Sequence, residues 1–249
     1  MYKLYKKSLL GFTLLCFAVY SAGSSISEAV SRALNMGSAV PAAFMLAAAM
    51  LLFRFLKRNG LAAQYGLCRS SADAKLFLWY IPLIVLTSSN LWGGAALSFS
   101  PTEAFFLIIK MLSVGFIEEL FFRGFLFSAL CRRGVKFAVL VSSLSFGLIH
   151  IVNLFNGSGM GAAENLMQIA GASAAGFLYV TIFCRGGSLL PCVLSHGIYN
   201  CLGLFSAAPA SGRGIYISLI EWALSIGYAF YILKAVPAAG ENSEYGVRQ

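Results

Sequence analysis

Charge is what this chain of 249 residues has least of: 11% of its residues are Asp, Glu, Lys or Arg, where a soluble domain carries about 25%. Histidine occurs twice and proline six times, and the six cysteines (Cys16, Cys68, Cys131, Cys184, Cys192, Cys201) form no CxxC pair. Each scarcity removes a class of protein. Without paired spacing the cysteines read as small packing residues or free thiols, not as a zinc or iron–sulfur site. HExxH and a Gly-rich phosphate loop of the usual spacing are both missing. Six prolines give little sign of the matched broken helices of an inverted-repeat transporter. No stretch suggests a soluble domain, an internal repeat or a low-complexity tract.

What is present is apolar: 59% of the residues are hydrophobic and the mean hydropathy is +0.80. Runs of about 20 apolar residues span the hydrocarbon core as helices, which satisfy their own backbone groups there. Eight runs are expected, near 8–22, 36–55, 76–97, 103–130, 135–155, 164–184, 188–204 and 215–236. The fold class is therefore an all-α polytopic membrane protein of about eight transmembrane helices. Residues 1–249 read as one membrane domain whose short polar cytoplasmic tail covers 237–249.

Basic residues fix the expected orientation, because short cytoplasmic loops retain Lys and Arg. Lys3, Lys6 and Lys7 precede the first run; Arg54, Lys57, Arg58, Arg69 and Lys75 follow the second; Arg132, Arg133 and Lys136 follow the fourth. Arg185 follows the sixth, and Lys234 and Arg248 come late, whereas the opposite connections hold only Arg32 and Arg213. Both termini are thus expected in the cytoplasm, with the protein in the cytoplasmic membrane. The net charge of +9 is mostly this bias and does not indicate nucleic-acid binding. The basic start, the apolar stretch and Ser21-Ala22-Gly23 also fit a cleaved signal peptide loosely.

Against this background, Glu118 and Glu119 interrupt one apolar run, and His150 and His196 interrupt two later ones. Ionisable residues at bilayer depth cost roughly 2.5 to 3.5 kcal/mol each on insertion scales, so they mark functional sites by default. Glu119 and Arg123 share a helical face and suit an ion pair, while Glu118 points about 100° away and is left for water or substrate. Phe146 and His150 share a face, so the ring can wall a cavity that the imidazole enters. His196 and Asn200 project together as the donor pair that an oxyanion requires, and Glu118 with His150 would activate a water. Singly, each element has a structural reading: an i,i+4 bridge, an interhelical hydrogen bond, core packing. Their coincidence in mid-run is what points to chemistry. Lys110 is read as snorkelling and Glu221 as pairing with a neighbouring helix.

The three motifs, Glu118-Glu119-x-x-x-Arg123, Phe146-x-x-x-His150 and His196-x-x-x-Asn200, stand in order on successive apolar runs. They resemble the intramembrane glutamic endopeptidases that include type II CAAX prenyl proteases and bacteriocin-processing or immunity proteins (the CPBP, or Abi, family). The likeness covers 101–204, the catalytic core helices. It implies an eight-helix fold, a cavity reached from the cytoplasmic side or the bilayer, and no metal or other cofactor. It further implies that Glu118 is the general base, His150 helps activate the water, and His196 and Asn200 stabilise the oxyanion. Glu119 and Arg123 would organise the site and Phe146 would shape it. The partners implied are the lipid bilayer and a membrane-associated or lipidated protein or peptide, with no nucleic acid. Two other readings remain: a zinc protease using His150, His196 and a glutamate, and a non-catalytic scaffold, immunity factor or transporter.

Overall fold

The computed structural model describes residues 2–155, 159–207 and 213–237. Apart from Pro237, the expected polar tail lies outside the described residues, and so does Arg248. Helix α1 (Tyr2–Lys7) leads into α2 (Leu9–Leu34), which the Ser8 hydroxyl caps by accepting from the Gly11 N–H, and α3 (Ala39–Arg58) returns. A kinked 3-10 segment (Ala74–Tyr80) precedes α4 (Ile81–Thr87) and a 3-10 turn (Ser89–Leu91). Helix α5 (Pro101–Glu119) widens into a π-helical stretch (Leu120–Leu126) before α6 (Phe127–Leu130). Helix α7 (Val135–Leu148) tightens into a 3-10 end (Ile149–Leu154), and α8 (Ala162–Gly186), α9 (Leu190–Gly203) and α10 (Arg213–Ala235) complete the bundle.

The chain is an all-α polytopic membrane protein. Among the described residues, six helical segments are long and apolar enough to cross a membrane: Leu9–Leu34, Ala39–Arg58, Ala74–Leu91, Val135–Leu154, Ala162–Gly186 and Arg213–Ala235. The other two expected runs are the exceptions. Helix α5 carries Glu103, Lys110, Glu118 and Glu119, and α9 has 14 residues. At about 1.5 Å per residue, α9 reaches about 21 Å, short of the roughly 30 Å core. Helix α5 packs against α3 and α9, and α9 also against α4 and α8.

Three boundaries differ from the sequence expectation for physical reasons. The first run continues to Leu34, because Ser27 and Ser31 are buried and hydrogen-bond to main-chain carbonyls of Ser24 and Gly37, which makes them compatible with the helix. The third is broken: Pro82 has no N–H to continue a helix from upstream, and Leu78, Trp79 and Tyr80 take left-handed φ values of 50°, 49° and 58° before α4 restarts. Its expected end runs extended instead, where Ala96 donates to the Phe205 carbonyl (2.8 Å) and Ala207 donates to that of Gly94 (3.0 Å).

Two ends of the bundle are thereby defined. At one, Tyr5 meets Phe55 and Tyr65, and the loop at Ser71 donates to the Gly186 carbonyl (2.9 Å) at the end of α8. At the other, the Ser38 N–H donates to Glu103 at the start of α5 (3.2 Å), and residues 94–96 pair with 205–207.

Candidate active site

Small residues decide where the site sits. A Cβ placed on Gly115 of α5 would lie 2.7 Å from the backbone N and Cα of Gly197 in α9, so the two helices touch main chain to main chain. Close approach through glycine is how membrane helices gain contact without a hydrophobic driving force between them. It brings Glu118 and Glu119 beside His196. The π-helical turn that follows buries all seven of its residues, and the Phe122 carbonyl accepts both the Phe127 N–H, five residues on, and the Ser142 hydroxyl (2.9 Å) from α7. Such widened turns recur at functional sites.

The two glutamates lead different lives. Glu119 is fully buried: its Oε1 accepts from Arg123 Nη1 and faces His196 Nδ1, both at 2.9 Å. Arg123 is also fully buried, its guanidinium 4.1 Å from the Phe146 ring centre and 5.4 Å from that of Tyr179. A Cβ on Gly176 of α8 would come within 3.3 Å of Arg123 Nη2, so this glycine leaves room for it. Set against aromatic faces and paired with a carboxylate, the cation is held inside the bundle. Glu118 keeps 17% of its side chain exposed, accepts from the Tyr20 hydroxyl of α2 (2.8 Å), and lies 3.8 Å from His196 Nε2.

Phe146 stands at the centre. Its ring meets those of His150 and His196 edge to face, at 5.6 and 5.5 Å between centroids. His150 faces its own helix with Nδ1, 2.9 Å from the Phe146 carbonyl, which leaves Nε2 as the presented nitrogen; His196 is oriented likewise through Glu119. Tyr179 stacks on His196 at 6.1 Å, and its hydroxyl continues through Ser195 (3.0 Å) to Thr87 (2.7 Å), tying α8, α9 and α4 behind the imidazole.

Beside this cluster is a cavity of about 590 Å³ whose lining includes Phe146, His150, His196 and Asn200, together with Glu221 and Trp222 of α10. The Asn200 carboxamide makes no hydrogen bond among the described residues. Of the seven residues singled out from the sequence, Glu118, Glu119, Arg123, Phe146 and His196 form one contiguous cluster. His150 joins it through Phe146 and makes no ion-pair contact with either glutamate among the described residues; Asn200 shares the cavity lining. Among the described residues, no three His, Cys, Asp or Glu side chains converge to hold a metal ion. Tyr20, Tyr179, Ser195 and Thr87 had no signal in the sequence, since isolated hydroxyl side chains are ordinary in apolar runs.

A family model described as "Type II CAAX prenyl endopeptidase Rce1-like" matches residues 98–202, the segment that supplies both glutamates, Arg123, Phe146, both histidines and Asn200. Over those residues the chain is similar to that family. No curated protein and no solved structure matches it significantly. Together with the apolar helices, that similarity supports an integral membrane protein and, at the level of the family, a CAAX-type protease acting on membrane-associated substrates.

Proposed function

We propose that the chain is an intramembrane glutamic endopeptidase that hydrolyses a peptide bond with a water activated by side chains and without a metal. The observation that carries this reading is the polar chain Tyr20–Glu118···His196–Glu119–Arg123 set against the cavity wall. The 3.8 Å gap between Glu118 and His196 is too long for a direct hydrogen bond and short enough for one water to contact both atoms.

Glu118 is the general base. It takes a proton from the water as the oxygen adds to the scissile carbonyl, and returns it to the amine as the carbon–nitrogen bond breaks. His150 Nε2 binds and orients the water from the cavity side. Asn200 Nδ2 and His196 face the carbonyl oxygen as it becomes an oxyanion. Glu119 and Arg123 act through His196 by fixing its ring, and Phe146 spaces the two imidazoles. In this reading 101–204 is the catalytic core of a single membrane domain over 1–249, placed in the cytoplasmic membrane with both termini cytoplasmic. The substrate is a membrane-associated protein or peptide.

The test is cleavage of a peptide panel in liposomes by the wild type, Glu118→Ala and His150→Ala, with and without chelator. Cleavage that disappears in both variants and ignores chelator supports the reading. Loss of activity with chelator would favour the zinc alternative, and full activity of a folded Glu118→Ala protein would refute the role of Glu118.

A further inference from the structure

A second, smaller cavity of about 240 Å³ lies between the 3-10 turn Ser89–Leu91, α9 and α10. Its polar lining is Ser89, Asn90, Tyr199, Ser206, Ser218 and Glu221. Tyr199, Gly214, Ser218 and Glu221 line the catalytic cavity as well, so the two share a wall. The volume is well above the roughly 10 to 15 Å³ that one water needs, and it admits a long side chain.

This side chamber has acceptors to spare. The Ser89 hydroxyl donates to Glu221 Oε1, and the Asn90 amide nitrogen donates to the Tyr199 carbonyl (2.8 Å), which leaves the amide oxygen to accept. Among the described residues, Glu221 Oε2 and the Tyr199 and Ser218 hydroxyls make no hydrogen bond. Protein cations do not answer the carboxylate either. Arg213 stands beside Gly214 and Ile215, but it is exposed, lines neither cavity and lies about 12 Å from Glu221 along α10. Lys110 is paired with Glu28, and Glu164, the other carboxylate of the catalytic cavity, lies outside the chamber. An ionised carboxylate at bilayer depth calls for a partner, and Ser89 satisfies only one of its oxygens.

Position supplies the second constraint. His196, Tyr199 and Asn200 share a face of α9, and Tyr199 is about 4.5 Å along the axis from His196. An extended peptide advances about 3.3 to 3.6 Å per residue, so a substrate held at His196 and Asn200 brings a neighbouring side chain to the chamber.

We infer that the chamber is a subsite for the ammonium or guanidinium group of a Lys or Arg within about two residues of the scissile bond, and that Glu221 selects it. This rests on the protease reading above and adds a selectivity to that same site.

The experiment reads selectivity by the full chain in liposomes. Mass spectrometry of a randomised peptide library locates the cleaved bond, and paired peptides then carry Lys or norleucine at each of the two positions on either side. At one position the ratio of kcat/KM, Lys over norleucine, should be about 10- to 100-fold, the scale of one hydrogen bond to a charged group. It should fall to near unity in Glu221→Gln, whose amide oxygen still accepts from Ser89. Ser206→Leu fills the chamber from the side away from the catalytic cavity and should lower the ratio too, which carries the test alone if Glu221→Gln does not fold. Glu164→Gln should leave the ratio as it is. A wild-type ratio near unity at every position, a ratio that survives Glu221→Gln, or an equal fall in Glu164→Gln overturns the inference and leaves the protease reading standing. Cleavage of no peptide by the wild type overturns the protease reading and this inference with it.

Discussion

The seam between α5 and α9 and the wall that α8 and α10 build across the cavity from it follow different rules. At the seam the charged cluster is cross-tied: Glu118 to Tyr20, Glu119 to Arg123 and His196, and His196 is backed by Tyr179. The backbones meet at Gly115 and Gly197 with no space between them. Across the cavity, Gly171, Ala172 and Ala175 leave room, and the large side chains Met167 and Trp222 frame it. Fixed geometry on one side and free volume on the other separate the two tasks of an enzyme. Rate depends on atoms held within a fraction of an ångström, and substrate choice depends on the shape of an open wall.

The largest effect should come from the seam's one half-open acid. Glu118→Gln keeps the shape, removes the base and should lower kcat by roughly 10²- to 10⁴-fold, the usual contribution of a positioned base. Its thermal melting in detergent should match the wild type, because Tyr20, its hydrogen-bond partner among the described residues, can bond the amide. A full loss of melting cooperativity would instead make Glu118 a structural residue and erase the contrast between the two glutamates.

Next comes the seam's geometry. Gly115→Ala places a methyl 2.7 Å from the Gly197 backbone, so the helices have to separate. A displacement near 1 Å costs about 10²-fold in rate, and the strain costs roughly 1 to 3 kcal/mol. Gly227→Ala in α10 meets nothing within 4 Å and serves as the matched control, with activity unchanged. Equal activity of the two variants, measured on one fluorogenic peptide, would show that the close approach does not set the Glu118–His196 distance.

How much of this was readable in advance follows from the range of each interaction. A period of 3.6 residues put Arg123 under Glu119, His150 under Phe146 and Asn200 under His196, and the side chains do share those faces. It also separated Glu118 from Glu119, which differ in burial as the rotation implies. Partners distant in the chain left no trace: Tyr20 lies 98 residues before Glu118, and a tyrosine in a first apolar run resembles any packing residue. Lys110 reads as a snorkelling lysine when α5 is considered alone, but Glu28 of α2 pairs with it, because α2 extends past its expected end. The π-helical turn was equally invisible, since its register is imposed by packing and by Ser142, not by local propensity.

Tyr20 sharpens the comparison from outside the motif-bearing helices. Tyr20→Phe removes the hydroxyl that donates to Glu118 and leaves the ring, which packs edge to face on Phe121 at 5.8 Å. A hydrogen bond to a charged group contributes about 1.5 to 3 kcal/mol, so a loss of about tenfold or more in kcat with KM unchanged is expected. A change confined to KM would place Tyr20 in substrate binding and move it to the other side of the comparison.

The smallest effect belongs to the open wall. Ala175→Leu adds three carbons to a half-buried position that lines the cavity without touching the polar chain. For a substrate with a small residue at that point, kcat should stay within about threefold. A substrate with a bulky residue there should lose roughly 10- to 200-fold in kcat/KM, the range that a methylene-scale misfit gives in an apolar pocket. Paired measurements on two peptides differing at one residue separate these outcomes. If both peptides lost kcat equally, the wall would be coupled to the seam, and the division of rate from selectivity would not hold.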